Sequence, residues 1–174
     1  ALTVNQVSLS LPAGNNVQLV ASAADACNNS RDDALRYQAS NGTVSATGLY
    51  TAGCVRGTYP DAVYVRAGSL ENTIDVNVTD GVLNSIEIEP SAVSIQAGES
   101  RLMRANLFDG CRNLIEGTPT WSVAQAGSIS PNGNFTAGTV AGTYSAAIVA
   151  ELNGFQDQAD LTITPAAAAR LVVV

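Results

Sequence analysis

The stretch Gly-Leu-Tyr-Thr-Ala-Gly at residues 48–53 decides the fold, because it returns as Gly-Asn-Phe-Thr-Ala-Gly at residues 133–138. The tripeptide Gly-Thr-Tyr at residues 57–59 returns at residues 142–144 with the same shift of 85 residues. Self-similarity at a fixed period is the signature of a repeated structural unit. The chain of 174 residues therefore holds two related units, and the fold of one predicts the fold of the other.

The repeat also predicts the domain boundaries. In the first half of the unit the shift is 84 residues, so that Cys27 matches Cys111 and Tyr37 matches Trp121. The end of the chain repeats once more, since Arg-Leu-Val-Val near the C-terminus echoes Ser-Ile-Glu-Ile at the start of the second unit. We predict a first domain, a second domain and the opening strand of a third repeat, at 1–82, 83–167 and 168–174.

Within each unit the apolar residues recur with a period of two, which is typical of β-strands. In the second unit, Ile86 and Ile88 alternate with Glu87 and Glu89. Seven short strands fit into about 85 residues, with turn signals every 8–12 residues, and no helix signal interrupts them. The pattern predicts an all-β fold of two tandem seven-strand immunoglobulin-like β-sandwiches arranged end to end.

The composition excludes several classes of function. All eight basic residues are Arg, and fifteen acidic residues give a net charge of −7, which would repel the phosphates of a nucleic acid. The chain contains no His, which excludes a Ser-His-Asp triad and a His-ligated zinc. The carboxylate pairs Asp32-Asp33 and Glu87/Glu89 do not suggest two groups opposed across a cleft, so we expect no enzyme. No apolar stretch approaches the roughly 18 residues of a membrane helix.

Three stretches of the second unit carry a family resemblance: Trp-Ser-Val at 121–123, Gly-Ser-Ile at 127–129 and Asn-Gly-Asn-Phe-Thr-Ala-Gly at 132–138. With them, both repeats resemble the bacterial immunoglobulin-like domains of group 2. The first repeat differs in having Tyr37 where the family prefers Trp, and in its acidic loop at 25–33. Such domains occur in tandem in surface-anchored or secreted bacterial proteins, including adhesins and invasin-like stalks. The resemblance implies an extracellular location and a role as a spacer or binding module.

The predicted strand order indicates which of the three cysteines lie close enough to form a disulfide. Cys27 and Cys111 follow the second predicted strand of their units, at the end where the chain enters, and Cys54 follows the fifth strand, at the exit end. Because the exit end of one repeat precedes the entrance of the next, we predict a disulfide between Cys54 and Cys111. A bridge from Cys27 to Cys54 would have to span about 17–20 Å, against a Cα separation limit of about 7 Å. The alternative is three reduced, unrelated thiols.

The predicted bridge uses two of the three cysteines and gives Cys27 no predicted partner within the chain. By analogy with Cys111, it would bond an upstream repeat or another subunit. The second repeat has Thr139 where the first has Cys54, so the series of bridges stops there. A bond from Cys54 to Cys111 would also limit bending at the linker Asp80-Gly81.

The acidic loop residues allow two interpretations. Ca²⁺ takes six to eight oxygen ligands, and the predicted junction would gather several carboxylates. No EF-hand spacing supports a calcium site, so solvated surface charge is the preferred interpretation, and we expect no cofactor. The residues concerned are Asp25, Asp32, Asp33, Asp80, Asp109, Glu116 and Asp157.

The aromatic residues are assigned to packing. Those of the third predicted strand are expected in the core, those of the repeated hexapeptide at its edge, and those of the Gly-Thr-Tyr tripeptide in a tyrosine corner. In that order, the pairs are Tyr37 and Trp121, Tyr50 and Phe135, and Tyr59 and Tyr144.

These observations predict a non-enzymatic extracellular module, a stalk or spacer segment of a bacterial cell-surface protein, with neighbouring immunoglobulin-like repeats as partners. We expect the apolar tail Leu171-Val172-Val173-Val174 to continue into a third repeat or to pair with a partner, because unpaired edge strands promote aggregation. The first alternative is a subunit of a self-assembling filament or sheath, whose tail completes the sheet of another copy. The second alternative is a glycan-binding module, for which the sequence shows no aromatic platform.

Overall fold

The computed structural model describes residues 1–167; the predicted pairing strand Leu171-Val172-Val173-Val174 lies outside the described residues. The described chain is built from β-strands, and no helix in it has the length and hydrophobicity needed to cross a lipid bilayer. Two compact units divide the chain. Unit 1 comprises Ala1–Val82 together with Asp109–Asn113, and unit 2 comprises Leu83–Phe108 and the described residues from Leu114 onward.

Unit 1 contains ten of the strands found among the described residues. They are β1 (Leu2–Val4), β2 (Ser8–Pro12), β3 (Asn16–Gln18), β4 (Ala21–Ala24), β5 (Ser30–Arg31), β6 (Leu35–Ala39), β7 (Thr43–Val44), β8 (Leu49–Thr51), β9 (Gly57–Ala67) and β10 (Leu70–Thr79).

The strands of unit 1 form the sheets of a sandwich. One sheet has the order β2-β10-β9-β6, in which β2 runs parallel to β10 and the other pairs are antiparallel. The remaining strands form two three-stranded sheets, β1-β4-β5 and β3-β8-β7. The first predicted strand is thus divided, since β1 pairs with β4 while β2 pairs with β10. The second predicted strand is divided in the same way into β3 and β4. These two divisions and the additional short strand β5 account for ten segments where seven strands were predicted.

Unit 2 repeats this arrangement with sheets β12-β20-β19-β16, β11-β14-β15 and β13-β18-β17. Its strands are β11 (Leu83–Glu89), β12 (Ala92–Gln96), β13 (Ser100–Leu102), β14 (Arg104–Asp109), β15 (Leu114–Ile115), β16 (Thr120–Val123), β17 (Gly127–Ile129), β18 (Asn134–Ala137), β19 (Gly142–Leu152) and β20 (Phe155–Thr164).

The aromatic side chains differ from the prediction in depth. Tyr50 and Phe135, expected at the edge of the core, are completely buried. Tyr37 and Trp121, expected inside, are only partly buried. The reason is strand position, because β8 and β18 are the central strands of their three-stranded sheets, whereas β6 and β16 are edge strands.

In each unit a tyrosine hydroxyl fixes the start of the long strand that follows the repeated hexapeptide. The hydroxyl of Tyr59 donates to the carbonyl of Val55 (2.9 Å), and that of Tyr144 donates to the carbonyl of Val140 (3.1 Å). This is the hydrogen bond of a tyrosine corner, in both units.

The same strands, β9 and β19, each contain a bulge. In unit 1 the backbone N–H of Asp61, at a φ of 49°, donates to Oδ1 of Asp75 (2.9 Å). In unit 2 the N–H of Ala146, at a φ of 50°, donates to Oδ1 of Asp160 (2.8 Å). The repeat therefore extends to an irregularity of the backbone and to the carboxylate that satisfies it.

Candidate functional site: two Asp-X-Cys-X-Asn loops

The loop Asp25–Asn29 follows β4 and is closed by the side chain of its first residue. Oδ1 of Asp25 accepts hydrogen bonds from the backbone N–H groups of Cys27 (2.9 Å) and Asn29 (2.8 Å). Oδ2 accepts one from the side-chain amide of Asn29 (2.9 Å). Asn28 has a φ of 66°, a conformation that Asn adopts more readily than most residues. The loop is a formed turn that presents the exposed, unbonded thiol of Cys27.

The loop Asp109–Asn113 at the end of β14 has the same internal hydrogen bonds. Oδ1 of Asp109 accepts from the N–H groups of Cys111 (2.9 Å) and Asn113 (2.8 Å), and Oδ2 accepts from the side-chain amide of Asn113 (3.0 Å). Arg112 has a φ of 64°, close to that of its counterpart in the first loop. The 84-residue shift that relates Cys27 to Cys111 also relates Asp25 to Asp109 and Asn29 to Asn113, and this wider match is the sequence signal for the paired loops.

Within unit 1, the second loop also bonds to residues outside itself. Cys111 forms a disulfide with Cys54, with an S–S distance of 2.05 Å and a Cα–Cα distance of 5.4 Å. The backbone N–H of Gly81 donates to Oδ2 of Asp109 (3.0 Å). The side-chain amide of Asn113 donates to the carbonyl of Cys54 (2.9 Å). The paired cysteines are therefore one part of a contact that includes two polar groups.

Close packing makes this contact specific. Asp109 is 0% exposed. A Cβ atom on Gly81 would lie 2.6 Å from Oδ2 of Asp109, so only glycine lets the backbone approach the carboxylate. Cys111 packs against the hydrophobic core of unit 1. The loop is consequently an integral part of unit 1, although its residues follow strand β14 in the sequence.

The electrostatics favour ionised aspartates in both loops. Burial raises the pKa of Asp109, but hydrogen bonds from Asn113, Gly81 and Cys111 lower it by more, so that its pKa lies below the ordinary value. The hydrogen bonds from Asn29 hold the pKa of Asp25 below its ordinary value as well. A charged acceptor strengthens each of these bonds.

The carboxylates considered for calcium do not assemble. Asp33 and Asp80 form ion pairs with arginines, and Asp157 accepts a hydrogen bond from the N–H of Ile88 (2.6 Å). Among residues 1–167, no three acidic or cysteine side chains are placed to hold a metal ion. The predicted gathering of carboxylates is therefore not found in the described chain.

No known family model matches the chain. The chain is 26% identical to Ice-binding protein 1 of Shewanella frigidimarina, over 95% of the chain and 20% of that protein. It thus spans about a fifth of the length of this relative.

Solved structures resemble the chain over nearly all of its length. Human protocadherin-24 EC1-2 matches with a TM-score of 0.55 and 18% identity, over 95% of the chain and 99% of that structure. Domains 4 and 5 of the S-layer protein SbsC match with a TM-score of 0.45 and 19% identity, over 94% and 97%. Cadherin domains share the sandwich architecture of immunoglobulin domains. The fold is an immunoglobulin-like β-sandwich, present twice.

Proposed function

We propose that this chain is a segment of an extracellular structural or adhesive protein of the bacterial surface, built from group 2 immunoglobulin-like domains. It has no enzymatic role, and its partners are neighbouring immunoglobulin-like units. The motifs at 121–123 and 132–138 support the family, and the disulfide supports a location outside the cytosol, where thiols are kept reduced. The ice-binding relative is about five times as long, so its ligand is not assigned to this segment.

The bond between Cys54 and Cys111 is the observation that most directly supports a structural role. The two cysteines are 57 positions apart, and the bond closes a covalent loop that contains the linker Asp80-Gly81. A force applied to the two chain ends passes through the disulfide, and the residues between the cysteines are not extended while the bond is intact. A covalent shortcut of this kind suits a spacer that holds its length under tension.

Stretching single molecules by their chain ends tests the mechanical role. We expect the oxidised protein to release about 200 Å less contour length than the reduced protein, because 57 residues at roughly 3.3–3.6 Å each stay closed. The double variant Cys54→Ser/Cys111→Ser should behave like the reduced protein in either buffer, and Cys27→Ser should behave like the wild type. Equal contour lengths with and without reductant would contradict the role.

Labelling intact cells tests the location separately. Cells that produce the native full-length protein are exposed to an antibody against this segment, with a cytosolic protein as the control. We expect labelling without permeabilisation. Labelling that requires lysis would place the segment inside the cell and contradict the proposed location.

A further inference from the structure

We propose that the loop Asp25–Asn29 docks covalently to another immunoglobulin-like unit, one with a cysteine and a glycine where unit 1 has Cys54 and Gly81. This inference rests on the proposed function and deepens it by naming the chemistry of the partner. It comes from comparing the loop with its equivalent, Asp109–Asn113, which is seen docked.

Three groups dock the second loop to the remainder of unit 1. They are the sulfur of Cys111, Oδ2 of Asp109 and the side-chain amide of Asn113. Their partners are the sulfur of Cys54, the N–H of Gly81 and the carbonyl of Cys54, in the same order.

The first loop carries the same three groups at equivalent positions, and there they have no such partners within residues 1–167. The thiol of Cys27 is exposed and unbonded. Oδ2 of Asp25 accepts only from Asn29, whereas Oδ2 of Asp109 accepts from two donors. The side-chain amide of Asn29 makes one hydrogen bond, whereas that of its counterpart makes two. One sulfur, one acceptor site and one donor are thus available together.

The loop is already in the docked conformation. Its internal hydrogen bonds match those of the second loop within 0.1 Å, at 2.9, 2.8 and 2.9 Å against 2.9, 2.8 and 3.0 Å. Binding therefore needs no ordering of the backbone, which is a main cost of association by flexible loops.

The chemistry of the partner follows from what holds the second loop. The partner needs a cysteine after the strand that corresponds to β8, and a glycine after the strand that corresponds to β10. Unit 2 offers neither, because Thr139 stands at the place of Cys54 and Ala166 at the place of Gly81. A Cβ atom at the glycine position would lie 2.6 Å from the incoming carboxylate. The partner is therefore a unit with the Cys/Gly end, on the same or another polypeptide, and not the far end of a second copy.

The bond forms by oxidation with a disulfide as the oxidant. Cys27 and the partner cysteine each give up one proton and one electron, and a sulfur–sulfur bond forms between them. The oxidant takes up both electrons and both protons as its own disulfide breaks into two thiols.

Rebuilding the partner end on unit 2 tests the inference. The variant Thr139→Cys/Ala166→Gly is incubated in oxidised and reduced glutathione, and the linked peptides are identified by mass spectrometry. We expect copies to join through Cys27 and the introduced thiol. The joining should be at least tenfold faster than for Val140→Cys/Ala166→Gly, whose thiol is exposed but one residue out of register. Adding Cys27→Ser should abolish it.

Two further variants separate docking from the chance collision of exposed thiols. Omitting Ala166→Gly should slow the joining, because the methyl group blocks the carboxylate of Asp25. Asn29→Ala should slow it too, because a donor is lost. Equal rates for the thiols at 139 and 140, or linkage mainly between two Cys27 thiols, would overturn the inference. Neither outcome touches the stretching and labelling tests of the proposed function, which do not depend on Cys27.

Non-reducing analysis of the native protein distinguishes the source of the partner. A crosslink that leaves the mass unchanged places the partner unit on the same polypeptide, and one that raises the mass places it on another. Either result supports the inference, and a reduced Cys27 in protein isolated with thiols blocked at lysis would overturn it.

Discussion

The aspartates that begin the two loops accept the same internal hydrogen bonds but differ in exposure. Asp25 is partly exposed at the start of an exposed loop, whereas Asp109 is buried and accepts an additional bond from Gly81. Removing an acceptor from a buried donor costs far more than removing it from a donor that water can reach. We therefore expect Asp109 to contribute more to the free energy of unfolding than Asp25, although the two occupy equivalent positions of the repeat.

The substitution Asp109→Asn should lower the free energy of unfolding by about 1–3 kcal/mol, because its new amide group faces the donors of Gly81 and Asn113. The matched substitution Asp25→Asn should have a much smaller effect, since its loop is solvated. Urea unfolding of the oxidised proteins measures both. Equal losses for the two variants would show that burial of Asp109 is not what makes it important.

The lowered pKa of Asp109 predicts a loss of stability in acid. A folded-state pKa below the unfolded value of about 3.9 means that ionisation stabilises the fold above about pH 4, and that this contribution is lost as the pH falls through the folded pKa. Urea unfolding measured from about pH 6 to about pH 2 should show the decline. Asp109→Asn should decline less steeply, and an unchanged slope in that variant would contradict the assignment.

The alternation of apolar residues predicts which side chains of a strand are buried, whereas pairing between distant strands decides which sheet a strand joins. Ile74, Val76 and Val78 of β10 are buried and alternate with exposed residues, as the period of two predicts. The division of the first predicted strand between two sheets is not visible in this pattern, because both halves alternate equally well. Pairing with β4 or with β10 depends on residues that are distant in sequence.

The bulge in β19 places Ala146 at a φ of 50°, which costs an L-residue roughly 1–2 kcal/mol. Ala146→Gly should therefore raise the free energy of unfolding by roughly 0.5–1 kcal/mol, after the entropy that glycine adds to the unfolded chain. The neighbouring exposed Ser145, which has no positive φ, supplies the control, and Ser145→Gly should destabilise. Thermal unfolding of both variants gives the comparison; destabilisation by both would argue against the bulge geometry.

For the chain as a whole, the disulfide is the main covalent constraint in the described residues. It joins positions 57 residues apart, and closing so long a loop restricts the unfolded chain strongly. The net charge is shared as −3 on residues 1–82 and −4 on the rest, so that each repeat is acidic by itself. Such a charge favours solubility on an exposed surface.

The double variant Cys54→Ser/Cys111→Ser should lose about 4 kcal/mol of unfolding free energy, the entropy expected for a loop of this length. Cys27→Ser should be neutral, because Cys27 closes no loop. Chemical denaturation under non-reducing conditions measures both. A loss of the same size in both variants would point to packing of the thiols and not to chain entropy.

Sequence alone determined the all-β class, the repeat and the immunoglobulin-like pattern, because periodicity and strand order are local or repeated features of a chain. It predicted the pairing of Cys54 with Cys111 but left reduced thiols as an alternative, and the folded chain contains the disulfide. Burial and partners required the folded chain, because they depend on contacts between distant residues. In unit 1 the fully buried aromatic residue is Tyr50 and not Tyr37, and Asp33, Asp80 and Asp157, which were considered as calcium ligands, have other partners. The loop Asp109–Asn113 proved to be bonded to Gly81 and Cys54 of unit 1. This contact is the basis for the docking role that we propose for the equivalent loop around Cys27.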